Sequence, residues 1–265
     1  MRKRLAVVHL YPAEMNTYGD SGNVVVLLDR LRRRGFQYEL LHVGVGDRYD
    51  LRDADIVFVG GGQDAAQQFV AGDLRARKDC LIQAAEDGVV MLAVCGAFQL
   101  FGRRFVTSKG TEIPGIGLFE ADTVGSGTRM IGDLVVDTPF GQLVGFENHG
   151  GQTRLSRRQQ SLGTVLRGYG NDGASGCEGA ISQNVIGTYL HGPLFSKNPA
   201  FADALLRTAV RRKYGVNELE PLDDNLEFSA ARVAAVRHLS RLDRLRRHLR
   251  PVTGLAGTRR REPSV

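Results

Sequence analysis

Cys95 stands where a nucleophile would. It ends a run of apolar residues, Val89 to Val94, and passes at once into Gly96-Ala97-Phe98-Gln99. A strand that delivers a nucleophile and turns directly into a helix is a nucleophile elbow. The turn is tight and needs small neighbours, and Ala93, Gly96 and Ala97 supply them. Such a turn exposes the sulfur above the carboxyl edge of a sheet. It also sets the sulfur at a helix N-terminus, where the partial positive charge favours an anion. The Gly96 N–H then points to where an oxyanion develops during attack on a carbonyl. A cysteine after an apolar run is often only a core residue; the small flanking residues and the following Gln99 favour the nucleophile.

An oxyanion hole needs a second donor. Gly60-Gly61-Gly62 follows the apolar run Ile56 to Val59 and offers backbone N–H groups free of side chains. A plain tight turn is the other reading of these glycines. The base should be a histidine, and the chain has six. His9, His42, His238 and His248 read as structural or exposed. His191 ends the run Gly187-Thr188-Tyr189-Leu190 and precedes a Gly192-Pro193 break, so its imidazole falls at a sheet edge. It is the candidate base. His149, in Phe146-Glu147-Asn148-His149-Gly150-Gly151, is the candidate neighbour or substrate contact.

The elements that must position these groups alternate. Leu5 to Leu10 reads as a buried strand. Ser21 to Arg34 reads as a helix capped by Ser21, carrying Val24, Leu27, Leu28 and Leu31 on one face and stopped by Gly35. Strands over Gln37 to Val43, Ile56 to Val59 and Val89 to Val94 follow, with a helix over Asp73 to Glu86 between the last two and a helical start over Gly96 to Gly102. This rhythm predicts an α/β fold, a mostly parallel central sheet flanked by helices. The second half is richer in glycine and short strands: Gly117 to Val124, Met130 to Val136, Leu143 to Glu147, Thr164 to Tyr169 and Asn184 to Leu190. Asn198-Pro199 opens a helix to Tyr214. A polar, acidic stretch from Asn217 to Asp224 reads as a linker. Val233, Val236, Leu239, Leu242, Leu245 and Leu249 then mark an amphipathic helix ended by Pro251, and a disordered basic tail closes the chain.

The net charge of +6 is carried by that tail. From Phe228 onward, Asp243 and Glu262 face ten arginines, so the remainder of the chain is slightly acidic. No recognisable reading module accompanies the charge, which argues against nucleic acid. No apolar run approaches the roughly 20 residues of a membrane span. The basic start runs into a short strand rather than a signal peptide. Three cysteines at unrelated spacings give neither a disulfide framework nor a zinc pattern. A reducing cytoplasm is expected.

The elbow, the triple glycine and the two histidine segments, together with Tyr18-Gly19-Asp20-Ser21-Gly22-Asn23, resemble the class I, or triad, glutamine amidotransferases, and within them the cobyric-acid-synthase-like branch. The resemblance spans about residues 5 to 215. It implies that the Cys95 thiolate attacks the side-chain amide of glutamine and that His191 moves the proton. It implies that the Gly61 and Gly96 amides hold the oxyanion, with Gln99 and His149 at the substrate site. Arg129, in Thr128-Arg129-Met130-Ile131-Gly132-Asp133, corresponds to an arginine that binds glutamine, and a guanidinium suits an α-carboxylate. Alanines at 93 and 97 replace glycines of many relatives. More seriously, His191-Gly192-Pro193-Leu194 lacks the glutamate of the usual His-Pro-Glu, so no acid is in place to orient the base. Either another acid of the chain reaches His191 or a partner supplies one, and the partner is the expectation.

The motif wording within the branch is nearest to the subunits that serve peptidoglycan synthesis. There the released ammonia passes to a Mur-ligase-like partner, which amidates the D-glutamate α-carboxyl of lipid II. The chain has no phosphate-binding Gly-x-x-x-x-Gly-Lys loop. No cofactor is therefore expected in this chain, and ATP and Mg belong to the partner. The expected protein is cytoplasmic, meeting the inner face of the membrane through the partner's substrate. The expected organisation is an amidotransferase domain over 1–215, a linker and amphipathic helix over 216–250, and a tail over 251–265. The alternatives are a related glutaminase feeding another acceptor, a cysteine peptidase or chaperone on a similar scaffold, and a non-enzymatic regulatory module.

Overall fold

Strands buried on both faces are continuous apolar runs, and four such runs build the middle of the sheet. The computed structural model describes residues 3–236. Its central sheet contains β1 (Arg4–Leu10), β2 (Gln37–Val43), β3 (Ile56–Val59), β4 (Val90–Val94), β11 (Ala180–Ser182) and β12 (Val185–Thr188), in the order β11-β12-β4-β3-β1-β2. Every pairing is parallel except β11 with β12. Every residue of β3, β4 and β12 is buried. Parallel strands end on the same edge. The segments after β1, β3, β4 and β12 carry Asp20, Gly60 to Gly62, Cys95 and His191, so the fold gathers them there.

Helices cover the sheet. α1 (Gly22–Arg33) ends where Gly35 takes φ +73°, as the sequence implies. Ser21, however, does not cap it: its side chain makes no capping bond, and its N–H donates to Asn16 Oδ1 at 2.8 Å. The helix expected over Asp73 to Glu86 is two helices, α2 (Asp64–Ala76) and α3 (Lys78–Glu86), broken at Arg77. Arg77 turns the chain while its guanidinium bonds the Asp73 carboxylate and the Asp47 carbonyl. The first turns of α2 escaped notice because their face toward the core is only Gln67, Val70, Ala71 and Leu74.

α4 (Gly96–Phe101) follows Cys95 directly. Beyond it lies a second sheet: β5 (Arg104–Val106), β6 (Glu112–Pro114), β7 (Ala121–Thr138), β8 (Gly141–Leu155), β9 (Gly163–Arg167) and β10 (Cys177–Glu178). The two strands expected over 117–124 and 130–136 are one long strand, β7. It is interrupted by a register shift between Gly125 and Met130. The strand expected to stop at Glu147 continues through Asn148 and His149 as β8. Antiparallel pairing with β7 satisfies its backbone despite the polar residues.

α5 (Leu194–Lys197), α6 (Pro199–Tyr214) and α7 (Asn225–Val236) complete the described chain. The stretch read as a linker is tied to the domain. The buried Arg30 guanidinium grips Asp203 and Asp224, both at 2.7 Å, and Arg34 donates to the Glu220 carbonyl. Leu226, Phe228, Val233 and Val236 of α7 are exposed. The rest of the expected amphipathic helix and the basic tail lie outside the described residues. Among the described residues, no helix is long and apolar enough to cross a membrane.

Candidate active site

The turn from β4 into α4 forces Cys95 to φ +53°, ψ −104°, a conformation that L residues rarely adopt. Strain of this kind persists only where the surroundings fix it. Here the Cys95 N–H donates to the Thr188 carbonyl at 2.8 Å, stitching the elbow to β12. No side chain can be added at Gly96, where a Cβ would lie 2.6 Å from the Gly62 carbonyl oxygen.

His191 is held from two sides. Its backbone exchanges hydrogen bonds with Phe146 of β8, at 2.8 and 3.3 Å. The buried Glu178 carboxylate accepts from the Thr188 hydroxyl and the Tyr189 N–H, fixing the chain just before it. The imidazole is fully buried. Its Nδ1 lies 2.9 Å from Asp20 Oδ1. Its Nε2 makes no hydrogen bond of ordinary geometry among the described residues, but Cys95 is close enough to act on it. Burial opposes a charge on the ring. The hydrogen bonds and negative charge of Asp20 and Cys95 outweigh it and push the pKa up to about 10. This fold therefore favours the imidazolium.

Gly61 sits among all three groups. A Cβ there would lie 3.0 Å from His191 Cε1, 3.2 Å from Asp20 Oδ2 and 3.3 Å from Cys95 Cβ. Cysteine, histidine and aspartate thus form a contiguous arrangement within one chain. Of the two solutions left open for the missing acid, the fold places one: Asp20, an acid of the chain, reaches His191. Asp20 stood in a quoted motif, but its role was not legible. The available signal was its place after β1, next to the glycine strip that follows β3.

Gly61 itself departs from expectation. Its N–H donates to Asp20 Oδ2 at 2.8 Å, and its carbonyl accepts from the Thr17 N–H at 2.9 Å. That N–H is thus already taken by the Asp20 carboxylate rather than open to an oxyanion.

Beside Cys95 opens a cavity of about 590 Å³, lined among others by Tyr18, Gly62, Gln67, Gln99, Arg129 and His149. Tyr18, in a left-handed conformation at φ +61°, sets its ring edge against His191 and Phe146. His149 lies flat on Tyr189, with ring centres 3.6 Å apart. Its Nδ1 faces the Gly151 carbonyl at 2.8 Å and its Nε2 lies 3.5 Å from the buried Glu147 carboxylate. It is an oriented wall of the cavity. Gln99 lines the cavity but spends its amide elsewhere: Nε2 donates to the Tyr189 hydroxyl and Oε1 accepts from Gln67. Its geometry is that of a strut beneath the site. Arg129 is the last residue of the irregular stretch of β7, and its Nε and Nη2 donate to Asn148 Oδ1 at 3.0 and 2.6 Å. The guanidinium stands preoriented at the cavity wall.

The sequence model of the CobB/CobQ-like glutamine amidotransferase domain matches residues 6–199, which include the elbow, the glycine strip and His191. The chain belongs to this family. It is 36% identical over 86% of its length to a Staphylococcus aureus protein named lipid II isoglutaminyl synthase (glutamine-hydrolyzing) subunit GatD, of which it covers 94%. It is 40% identical over 80% of its length to the protein of that name from Streptococcus pneumoniae, covering 83% of it. A probable cobyric acid synthase from Methanothermobacter thermautotrophicus is 29% identical, but only 41% of that longer protein is covered. A crystal structure of a glutamine amidotransferase shares the fold, at TM-score 0.51 and 14% identity over 76% of this chain and 98% of the other.

In an amidotransferase of this geometry, Arg129, which lines the cavity along with Lys109, is a cation suited to a substrate carboxylate. Arg129→Ala is expected to raise the glutamine KM about ten- to a hundredfold, the range of one charge-assisted bond. Steady-state kinetics check it, and an unchanged KM removes Arg129 from the site.

Proposed function

We propose that this chain is the glutaminase subunit of a lipid II isoglutaminyl synthase. It hydrolyses L-glutamine to glutamate and passes ammonia to a Mur-ligase-like partner, MurT, in a heterodimer. The partner, using ATP and Mg, amidates the D-glutamate α-carboxyl of lipid II in peptidoglycan synthesis. The observation that carries the glutaminase half is the convergence of Cys95, His191 and Asp20 around Gly61. The two GatD relatives, matched over most of their length, support the choice of acceptor.

The chemistry follows from the geometry. Cys95 Sγ attacks the carboxamide carbon of glutamine, and the carbonyl π pair moves onto oxygen. The His191 imidazolium gives its proton to the nitrogen, the C–N bond breaks and ammonia leaves. His191, now neutral and held by Asp20, takes a proton from water, which attacks the glutamyl thioester and releases glutamate. Burial of the imidazole keeps that proton from bulk solvent. Arg129 orients the substrate at the cavity wall, with His149 forming another side. The reading implies a cytoplasmic protein that meets the membrane's inner face only through its partner's substrate.

The test is reconstitution. The chain, a Mur-ligase-like partner, ATP-Mg, glutamine and lipid II are expected to give glutamate and amidated lipid II in equal amounts. Glutamate release with no lipid II amidation, but with amidation of a cobalamin precursor by another partner, would instead select the alternative acceptor. No glutamate at all would end the reading.

A further inference from the structure

Resting on the glutaminase reading, we infer that the Tyr18 ring sets which nucleophiles reach the glutamyl thioester: it passes molecules the size of water and ammonia and excludes bulkier amines.

Two small molecules cross the site in each turnover. Ammonia leaves after His191 protonates the amide nitrogen, and water arrives to give a proton back. Between these events the glutamyl group is bonded to Cys95 and extends into the cavity that Cys95 and Arg129 line. A nucleophile must hand its proton to His191 as it attacks, so it has to come in beside the imidazole. An amine taking that route would react as water does. Its lone pair attacks the thioester carbon, the C–S bond breaks to return the Cys95 thiolate, and its proton passes to His191. The product would be a γ-glutamyl amide instead of glutamate. A site that yields glutamate and ammonia needs to keep such amines out.

The surroundings of the imidazole supply the screen. Asp20 is bonded to Nδ1, Gly61 packs against the ring, Phe146 stacks on it with centres 5.5 Å apart, and Tyr18 sets its edge to it at 5.0 Å. Asp20 and Gly61 are buried and Phe146 is half-buried, whereas Tyr18 is 43% exposed. Of these four groups Tyr18 is the outermost, and it also lines the cavity with Cys95. The backbone does not favour an aromatic residue there. Tyr18 has φ +61° and ψ +20°, a region that glycine enters freely and bulky residues rarely do. A fastening on each side holds the conformation: the Thr17 N–H donates to the Gly61 carbonyl at 2.9 Å, and the Ser21 N–H donates to Asn16 Oδ1 at 2.8 Å. The Tyr18 hydroxyl makes no hydrogen bond among the described residues. The ring itself is therefore what the site uses.

Capture of the thioester by amines of different bulk tests the screen. Protein turning over glutamine is given hydroxylamine or O-benzylhydroxylamine, and the γ-glutamyl product of each is measured relative to glutamate. The ratio of the two captures, compared between proteins, cancels the intrinsic reactivity of the amines. In Tyr18→Gly, and in Tyr18→Asn, which also tolerates the left-handed backbone, capture of the benzyl compound relative to hydroxylamine is expected to rise about tenfold or more, a typical size for discrimination by shape. Tyr18→Phe keeps the ring and should keep the wild-type ratio. An unchanged ratio in a folded Gly or Asn variant overturns the inference, as does a Phe variant that behaves like them. The wild type gives a second measurement that needs no variant. It should disfavour the benzyl compound about tenfold or more beyond a free γ-glutamyl thioester in solution, and equal ratios overturn the inference. Wild-type protein that releases no glutamate refutes the glutaminase reading itself, a different result from an active wild type that selects no better than the free thioester.

Discussion

Cys95→Ser and Cys95→Ala are expected to abolish glutamine hydrolysis, by at least about 10⁴-fold in kcat, while the fold remains. Cys95 is nearly buried, and the substitutions remove or exchange one atom at a site bounded by backbone. Its unusual conformation is set by the Thr188 carbonyl and the start of α4, neither of which depends on the sulfur. The melting temperature should therefore shift by only a few degrees. Serine keeps the shape but is a far weaker nucleophile, and the imidazolium favoured in this site is adapted to a sulfur anion. Under the proposed function, ammonium supplied directly to the variant with the Mur-ligase-like partner should still support amidation, because that reading puts the acceptor chemistry on the other chain. Glutamate release at the wild-type rate by either variant would mean that a different nucleophile does the work. Loss of amidation even with ammonium would mean that the substitution damages assembly rather than hydrolysis.

What the sequence displays is what local chemistry dictates. The runs Leu5 to Leu10, Ile56 to Val59 and Val90 to Val94 are strands because residues buried on both faces leave no room for polar ones. The elbow is legible because its small residues are contiguous. β7 is not, since the polar, glycine-containing stretch between Gly125 and Met130 interrupts its pattern while the antiparallel ladder with β8 carries the strand through. The helix break at Arg77 rests on bonds to Asp73 and to carbonyls of another loop, which no periodicity encodes. Asp20 is the plainest case. It lies 171 residues from His191 in the chain, and only the parallel order of β1, β3, β4 and β12 brings the two together.

Asp20 also gives the second large effect. Asp20→Asn is expected to lower kcat for glutamine by about 10² to 10⁴-fold, the range seen when a histidine base loses its orienting carboxylate. The carboxylate does two things at once. Oδ1 receives the His191 ring N–H, and Oδ2 receives the Gly61 N–H, so the base and the glycine strip share one fixed point. An amide can accept one of these bonds but presents an NH2 to the other, and both partners are buried. The pH profile carries a sharper signature. The folded pKa of His191 is raised from 6.5 to about 10. The stability gained by protonating it in the fold is therefore fully present below pH 6.5 and is lost as pH rises toward 10. Removing the Asp20 charge lowers that pKa. The alkaline limb of kcat/KM, which reports loss of the imidazolium from the free enzyme, should move to lower pH in Asp20→Asn. The thermal stability difference between wild type and variant should narrow as pH approaches 10. These measurements belong on the chain both alone and with the proposed ligase partner. A wild-type rate and an unmoved alkaline limb for Asp20→Asn in the assembled complex would restore the partner as the source of the acid, whereas equal losses alone and in complex assign that role to Asp20.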